Sequence, residues 1–221
     1  MLSYDARQRI KDIIAGDVIP GQHDHCTTIR NILCTSFKAS RELKKDFESK
    51  QRVKEKQAAF LGHYAEENNL LILLPDNTLQ IARGGEASVF YAEDKRSIIK
   101  ANDCGYYATW LEYFDSVILH NSIFPNTAYE LIGFAVTPDQ LSKPALHALV
   151  KQPFIISDRL VELNEIKAFL EFNGFHNTMR NDYAHEFYNL ILEDMHDEIV
   201  LVQQNILFFI DTVFYVNMSI P

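Results

Sequence analysis

Up to about residue 70, apolar positions recur every three or four residues among charged ones, the spacing of amphipathic helices. Tyr4 to Ala15 sets Ile10, Ile13 and Ile14 at helical spacing, and the Gly16–Gly21 stretch with Pro20 ends that helix. Thr27 to Phe37 predicts a second helix. Ser40 to Asn68 predicts a longer one with a stripe through Phe47, Phe60, Leu61 and Tyr64, stopping at Asn68-Asn69. The period then shortens. Leu70 to Leu74, Leu79 to Ala82, Ser88 to Ala92 and Ser97 to Lys100 are short apolar and β-branched runs separated by Asp76-Asn77, Gly84-Gly85 and Asp94-Lys95, the pattern of hairpin-connected antiparallel strands. Tyr106 to His120 returns to helical spacing through Trp110, Phe114, Val117 and Ile118. Ala128 to Val136 and Ala145 to Ile156 predict strands around Pro138-Asp139. Val161 to Asn173 and Asn181 to Leu190 predict helices, and Ile199 to Val202 with Ile206 to Val213 predicts a closing hairpin around Gln203-Gln204-Asn205.

Charge narrows the partners. A formal net charge of −9 argues against sequence-independent nucleic-acid binding, because phosphate backbones require clustered Lys and Arg. The one Lys-rich stretch, Lys44 to Lys56, alternates in sign and reads as a solvated helix face. Cys26, Cys34 and Cys104 are an odd set without paired spacing, the usage of a reducing compartment. No segment approaches the ~20 apolar residues of a membrane helix, so the expectation is a soluble, cytoplasmic protein that engages no membrane. His23-x-His25-Cys26 has the look of a metal fragment but lacks a second ligand cluster, and reads as an exposed loop. Cys104 with His120 or His196 has no local signature of a nucleophile pair. His120-Asn121 reads as a structural hydrogen-bonding pair, and Tyr106, Tyr107, Trp110, Tyr113 and Phe114 as a packing surface.

Chemistry gathers in the central and C-terminal parts. Strand, glycine turn, strand, turn, strand ending in Lys, then helix, is the order of a kinase small lobe. Gly84, Gly85 and Glu86 open a turn whose backbone N–H groups can approach phosphate oxygens, although adjacent glycines equally suit a plain hairpin. Lys100 ends an apolar strand, where its ammonium can pair α- and β-phosphates. Glu112 or Asp115 on the following helix could hold Lys100 as an ion pair. Near the C-terminus, Asp194-x-His196 precedes a hairpin, and Asp211 ends its apolar return strand. In this reading Asp194 is a base or orients a hydroxyl, and Asp211 is a carboxylate ligand for Mg²⁺. An acidic turn is the plainer alternative for Asp194 to Glu198.

The segments GGEASVF, SIIKAN, LEYFDSVILHNSIFPNTAYELIGF, ALVKQPFI and EDMHDEIVL…FFID, in this order, resemble the kinase domain of polyvalent proteins of phages and conjugative elements, over about residues 58 to 214. Its most specific stretch is HNSIFPNTAYELIGF, followed by Gln152-Pro153. The resemblance implies an α+β, protein-kinase-like fold: an N-terminal helical extension (1–70), a small antiparallel-sheet lobe (71–152) and a reduced C-terminal lobe (153–221). It implies ATP and Mg²⁺ as cofactors, a protein substrate, Gln152 to Phe154 as the hinge beside adenine, and Asp194 and His196 in a D-x-H-x-x-N loop. The sequence departs from that loop at Ile199, which occupies the metal-ligating Asn position and offers no oxygen to a cation. A pseudokinase or non-enzymatic interaction module is therefore the alternative. Only ten residues follow Asp211, so no familiar activation segment is expected. The sequence does not express the oligomeric state.

Overall fold

The structure is a computed structural model that describes residues 3–21, 24–37, 47–76, 79–84, 87–138 and 144–217. It is a mixed α/β chain with antiparallel sheets and, among the described residues, five α-helices. The chain divides into two compact units. One comprises Gly21–Phe114 and Tyr129–Phe154; the other comprises Met1–Pro20, Asp115–Ala128 and Ile155–Pro221.

The first unit is built on a five-stranded sheet of order β1-β2-β3-β5-β4, with β1 Gln80–Arg83, β2 Ala87–Tyr91, β3 Ser97–Asn102, β4 Glu130–Pro138 and β5 Pro144–Pro153. Phe90, Ala101, Ala135 and Leu149 form a buried cluster on this sheet, covered by Ile72, Leu74 and Leu79. The covering segment is tied to β4 by Ile72 N to Phe134 O (2.8 Å) and Phe134 N to Leu70 O (2.7 Å). Gly133 makes this approach possible: its φ is +155°, and a Cβ there would lie 2.5 Å from Leu70 O. Helix α2 (His25–Ser36) begins where Asp24 Oδ1 accepts Thr27 N at 2.8 Å. Helix α3 (Phe47–Glu67) buries Val53, Gln57, Leu61 and Ala65, one residue per turn. It stops at Asn69, whose φ of 56° lets Leu70 N reach back to Ala65 O. Two polar groups of α3 organise the next helix. Lys54 Nζ donates to Cys104 O (2.6 Å) and Tyr107 O (3.0 Å), while Gln57 Oε1 accepts Trp110 N (2.8 Å) and Leu111 N (3.3 Å). Helix α4 runs Trp110–Ile123, and the division between the units falls within it, after Phe114.

The second unit contains α1 (Tyr4–Ala15), the rest of α4, α5 (Leu163–Phe172), a four-stranded sheet of order β11-β8-β7-β6 and a separate hairpin β9–β10. The strands are β6 His176–Met179, β7 Asp182–His185, β8 Leu190–Glu193, β9 Val200–Gln203, β10 Ile206–Phe209 and β11 Val213–Val216. Ser3 caps α1, and Gly16 at φ 76° closes it. The core is aromatic: Phe124 stacks on Phe209 at 4.2 Å between centroids, with Phe169 and Phe214 around them.

Several expectations need correction. Asn181 to Leu190 is not a helix. Arg180 (φ 52°) and Asn189 (φ 48°) adopt left-handed backbone, and the segment forms β7 and one 3-10 turn before β8. Residues 106 to 109 do not join α4, because Asn102 Oδ1 and Asp103 Oδ1 take the amides of Cys104 and Gly105 into local turns, and Thr109 Oγ1 accepts Glu112 N to start the helix. Leu70 to Leu74 is a covering segment with a single bridge, Leu71 to Phe134, and not a strand. The predicted strand through Val213 breaks at Ile210–Thr212, and β11 pairs with β8 instead of extending β10. His25 and Cys26 open α2 and are not in a loop; Cys26 is buried, and burial with nearby Asp24 pushes its thiol up to about 12. His23 lies outside the described residues.

Candidate functional site

Lys100 sits on the third strand of the first unit's sheet. Cross-strand pairs place Val89, Lys100, Val150 and Leu131 in one row across β2, β3, β5 and β4, and paired residues share a face. Two residues along, Ile98 pairs with Gln152, so Gln152 lies on the Lys100 face. Ile99 and Ala101 alternate to the opposite face, with the buried apolar cluster. Lys100 is 6% exposed; its Nζ lies 3.4 Å from the Tyr129 hydroxyl and 5.3 Å over the Tyr129 ring. Gly84 closes the end of β1 by donating N–H to Ala87 O at 2.8 Å, and Ala87 pairs with Asn102, two residues beyond Lys100. Gly85 and Glu86 lie outside the described residues. The Glu112 carboxylate is engaged at the start of its own helix, accepting Ala108 N at 3.0 Å with Lys50 Nζ at 3.8 Å. Asp115 is buried and belongs to the second unit.

In the second unit, two ladders end together. The β8–β11 ladder ends at Glu193 paired with Val213, and the β9–β10 ladder ends at Val200 paired with Phe209, with Ile210 N donating to Ile199 O at 3.0 Å beyond it. The loop 194–199 and the segment 210–212 therefore leave the ladders at one end. Asp194 follows Glu193 directly, and Asp211 precedes Val213 by two residues. Asp194 adopts left-handed backbone, φ 54°, with its N–H donating to Asp182 Oδ1 at 2.9 Å. The loop is anchored by Met195, buried, whose N–H donates to Asn181 O at 2.8 Å. His196 Nδ1 accepts Glu198 N at 3.2 Å, which leaves Nε2 to carry the proton, 3.7 Å from Asp194 Oδ2. The Asp194 side chain is 78% exposed. Partial desolvation, with the charges of Asp182 and Asp194, pushes the Glu193 carboxyl up.

Asp211 presents an exposed carboxylate. One or two carboxylates with nucleotide phosphates and water are the ordinary donor set for Mg²⁺, so Asp211 fits one such ion. Ile199 is half-buried and brings no oxygen for a second. Among the described residues, no group of three or more His, Cys, Asp or Glu side chains is arranged to hold a metal by itself. Sequence reasoning missed Tyr129 beside Lys100 and Lys50 beside Glu112. It anticipated hydrogen bonding by His120 without its partners, which are Thr212 Oγ1 at Nδ1 (2.7 Å) and Thr127 O at Nε2 (2.9 Å). Tyr129 and His120 both fall in HNSIFPNTAYELIGF, and that clustering was the available signal.

Compared with protein families, residues 54–218 match the serine/threonine/tyrosine kinase found in polyvalent proteins. The chain belongs to this family. A search of curated proteins found no match. The match to the polyvalent-protein kinase family takes in Lys100, Gln152, Asp194, Ile199 and Asp211 together. Among the described residues, no helix is long and apolar enough to cross a membrane.

Proposed function

We propose that this chain binds ATP with Mg²⁺ and transfers the γ-phosphoryl group to a protein hydroxyl. The observation that carries the reading is the common end of the two ladders, where Asp194 and Asp211 emerge from loops joined by Ile210 N to Ile199 O. Supporting it are family membership, the sheet order β1-β2-β3-β5-β4 with α4 following β3, and a buried Lys100 sharing a sheet face with Gln152. The chain passes from one unit to the other directly after Phe154, where the resemblance sets the hinge.

In this reading Lys100 pairs the α- and β-phosphates, with Tyr129 holding its ammonium. Asp194 accepts a hydrogen bond from the acceptor hydroxyl and takes its proton, while His196 steadies the carboxylate from 3.7 Å. Asp211 would hold the metal, which when bound would neutralise negative charge on the phosphates of ATP. A second reading, a pseudokinase serving protein association, is favoured by one observation: Ile199 at the place of a metal ligand.

Thermal unfolding with and without ATP, each with and without Mg²⁺, tests the site in wild type and Lys100→Ala. A ligand at 100 times its dissociation constant stabilises by about 2.7 kcal/mol. The expected result is a melting-temperature rise that Lys100→Ala abolishes. No rise at millimolar ATP would overturn nucleotide binding.

A further inference from the structure

Asp211 is exposed, yet the backbone on both sides of it is pinned. Thr127 Oγ1 donates to Phe209 O at 2.5 Å, and Ile210 N donates to Ile199 O at 3.0 Å. Thr212 Oγ1 meets His120 Nδ1 at 2.7 Å, and Phe214 N donates to Ser116 Oγ at 2.9 Å. Two of these partners, Ser116 and His120, are spaced i,i+4 on α4 and so share one helix face. His120 is the centre of the arrangement. It is fully buried, and its Nε2 faces Thr127 O at 2.9 Å. A carbonyl only accepts, so Nε2 carries the proton, and in that tautomer Nδ1 accepts the Thr212 hydroxyl. The same Thr127 that His120 grips through its carbonyl holds Phe209 through its hydroxyl. One imidazole thus fixes both flanks of a three-residue segment whose middle member is Asp211.

We infer that His120 is a positioning residue for Asp211, setting the direction of its carboxylate toward the nucleotide-bound cation through Thr212 on one flank and Thr127 on the other. This rests on the kinase reading above. A purely architectural imidazole needs no partner beside the metal ligand. Here one ring nitrogen serves residue 212 directly, and the other serves residue 209 through Thr127. Residues that orient a metal ligand typically change metal affinity 10–100-fold when altered.

The test uses Thr212→Val, which removes the hydroxyl that His120 accepts while keeping the side chain's shape, and Thr212→Ser, which keeps the hydroxyl. The readout is the Mg²⁺ concentration giving half of the ATP-dependent thermal stabilisation, measured beside the stabilisation by ATP without Mg²⁺. Thr212→Val is expected to raise the Mg²⁺ midpoint about tenfold, leave the metal-free ATP shift unchanged, and speed exchange of the Ile210 amide in the ligand-free protein. Thr212→Ser is expected to keep the wild-type midpoint. A lower melting temperature with an unmoved midpoint would mean a structural role only and would overturn the inference while leaving the kinase reading intact. Absence of any Mg²⁺-dependent ATP stabilisation in wild type would remove the kinase reading itself, and the inference with it.

Discussion

Replacing Gly133 by Ala puts one methyl group into the closest backbone approach of the first unit. The added Cβ meets Leu70 O at 2.5 Å and two Ile72 side-chain atoms at 3.1 Å. The side-chain atoms can shift, but the carbonyl cannot move without loosening the bonds between Leu70, Ile72 and Phe134. Backbone strain at a φ of +155° costs an L-residue about 1–3 kcal/mol. Losing those two hydrogen bonds adds about 1 kcal/mol each. The expected destabilisation is therefore about 3–5 kcal/mol, a large part of the ~5–15 kcal/mol typical of a folded domain. Urea denaturation followed by far-UV circular dichroism measures it. Gly62→Ala is the internal control, because it lies within α3 with nothing within 4 Å of a built Cβ; it should stabilise by up to about 1 kcal/mol. A Gly133→Ala loss below about 1 kcal/mol would refute the claim that this approach demands glycine.

Ile199→Asn restores an oxygen ligand at a half-buried position and is expected to raise phosphoryl transfer to a generic protein substrate, measured with γ-labelled ATP. Turnover unchanged from background would count against the enzyme reading. Glu165 is held down to about 2, from an ordinary 4.5, by hydrogen bonds from Arg159, both at 2.7 Å, and by Glu162 N. A depressed carboxyl stabilises the fold fully above its unfolded value and loses that contribution as pH falls through the folded one. Wild type should therefore lose more stability than Arg159→Ala between pH 4.5 and about 2 in acid titrations of unfolding, and parallel curves would contradict the pairing. Cys26, Cys34 and Cys104 are all buried, so a thiol reagent should modify none in native buffer and all three in denaturant. Rapid native labelling would show that α2 or the turn before α4 opens readily.

The parts of this fold that local chemistry dictates were legible in the sequence. Helix α1 and the stop of α3 at Asn68-Asn69 follow from helical periodicity and the residues that end it, whereas the start of α2 at His25, capped by Asp24, was set two residues late. Lys100, Asp194 and Asp211 stand out in the sequence because each ends or follows a short apolar run that periodicity identifies, but Lys100 lies inside β3 and not at its end. The helix expected over 181–190 failed because Tyr183, Phe187, Tyr188 and Leu190 mimic helical spacing, while β6, exposed along its whole length, offers no alternating pattern to oppose it. The surroundings of the acids were not legible. Thr127 meets Phe209 and His120 meets Thr212 across more than eighty residues of chain, and no local pattern announces such pairs. The contact of Lys50 with Glu112 was not legible for the same reason, since Lys50 lies in a different helix.

The left-handed backbone at Asp194 shapes how this site can drift over evolutionary time. Asp, Asn and Gly tolerate that conformation, whereas most other side chains strain it. Asp can therefore give way to Asn or Gly at position 194 without weakening the fold, so the backbone places no demand of its own on a carboxylate there. For the same reason Asp194→Asn is the clean test of the proposed base, removing the carboxylate with folding intact, whereas Asp194→Ala adds backbone strain to the loss.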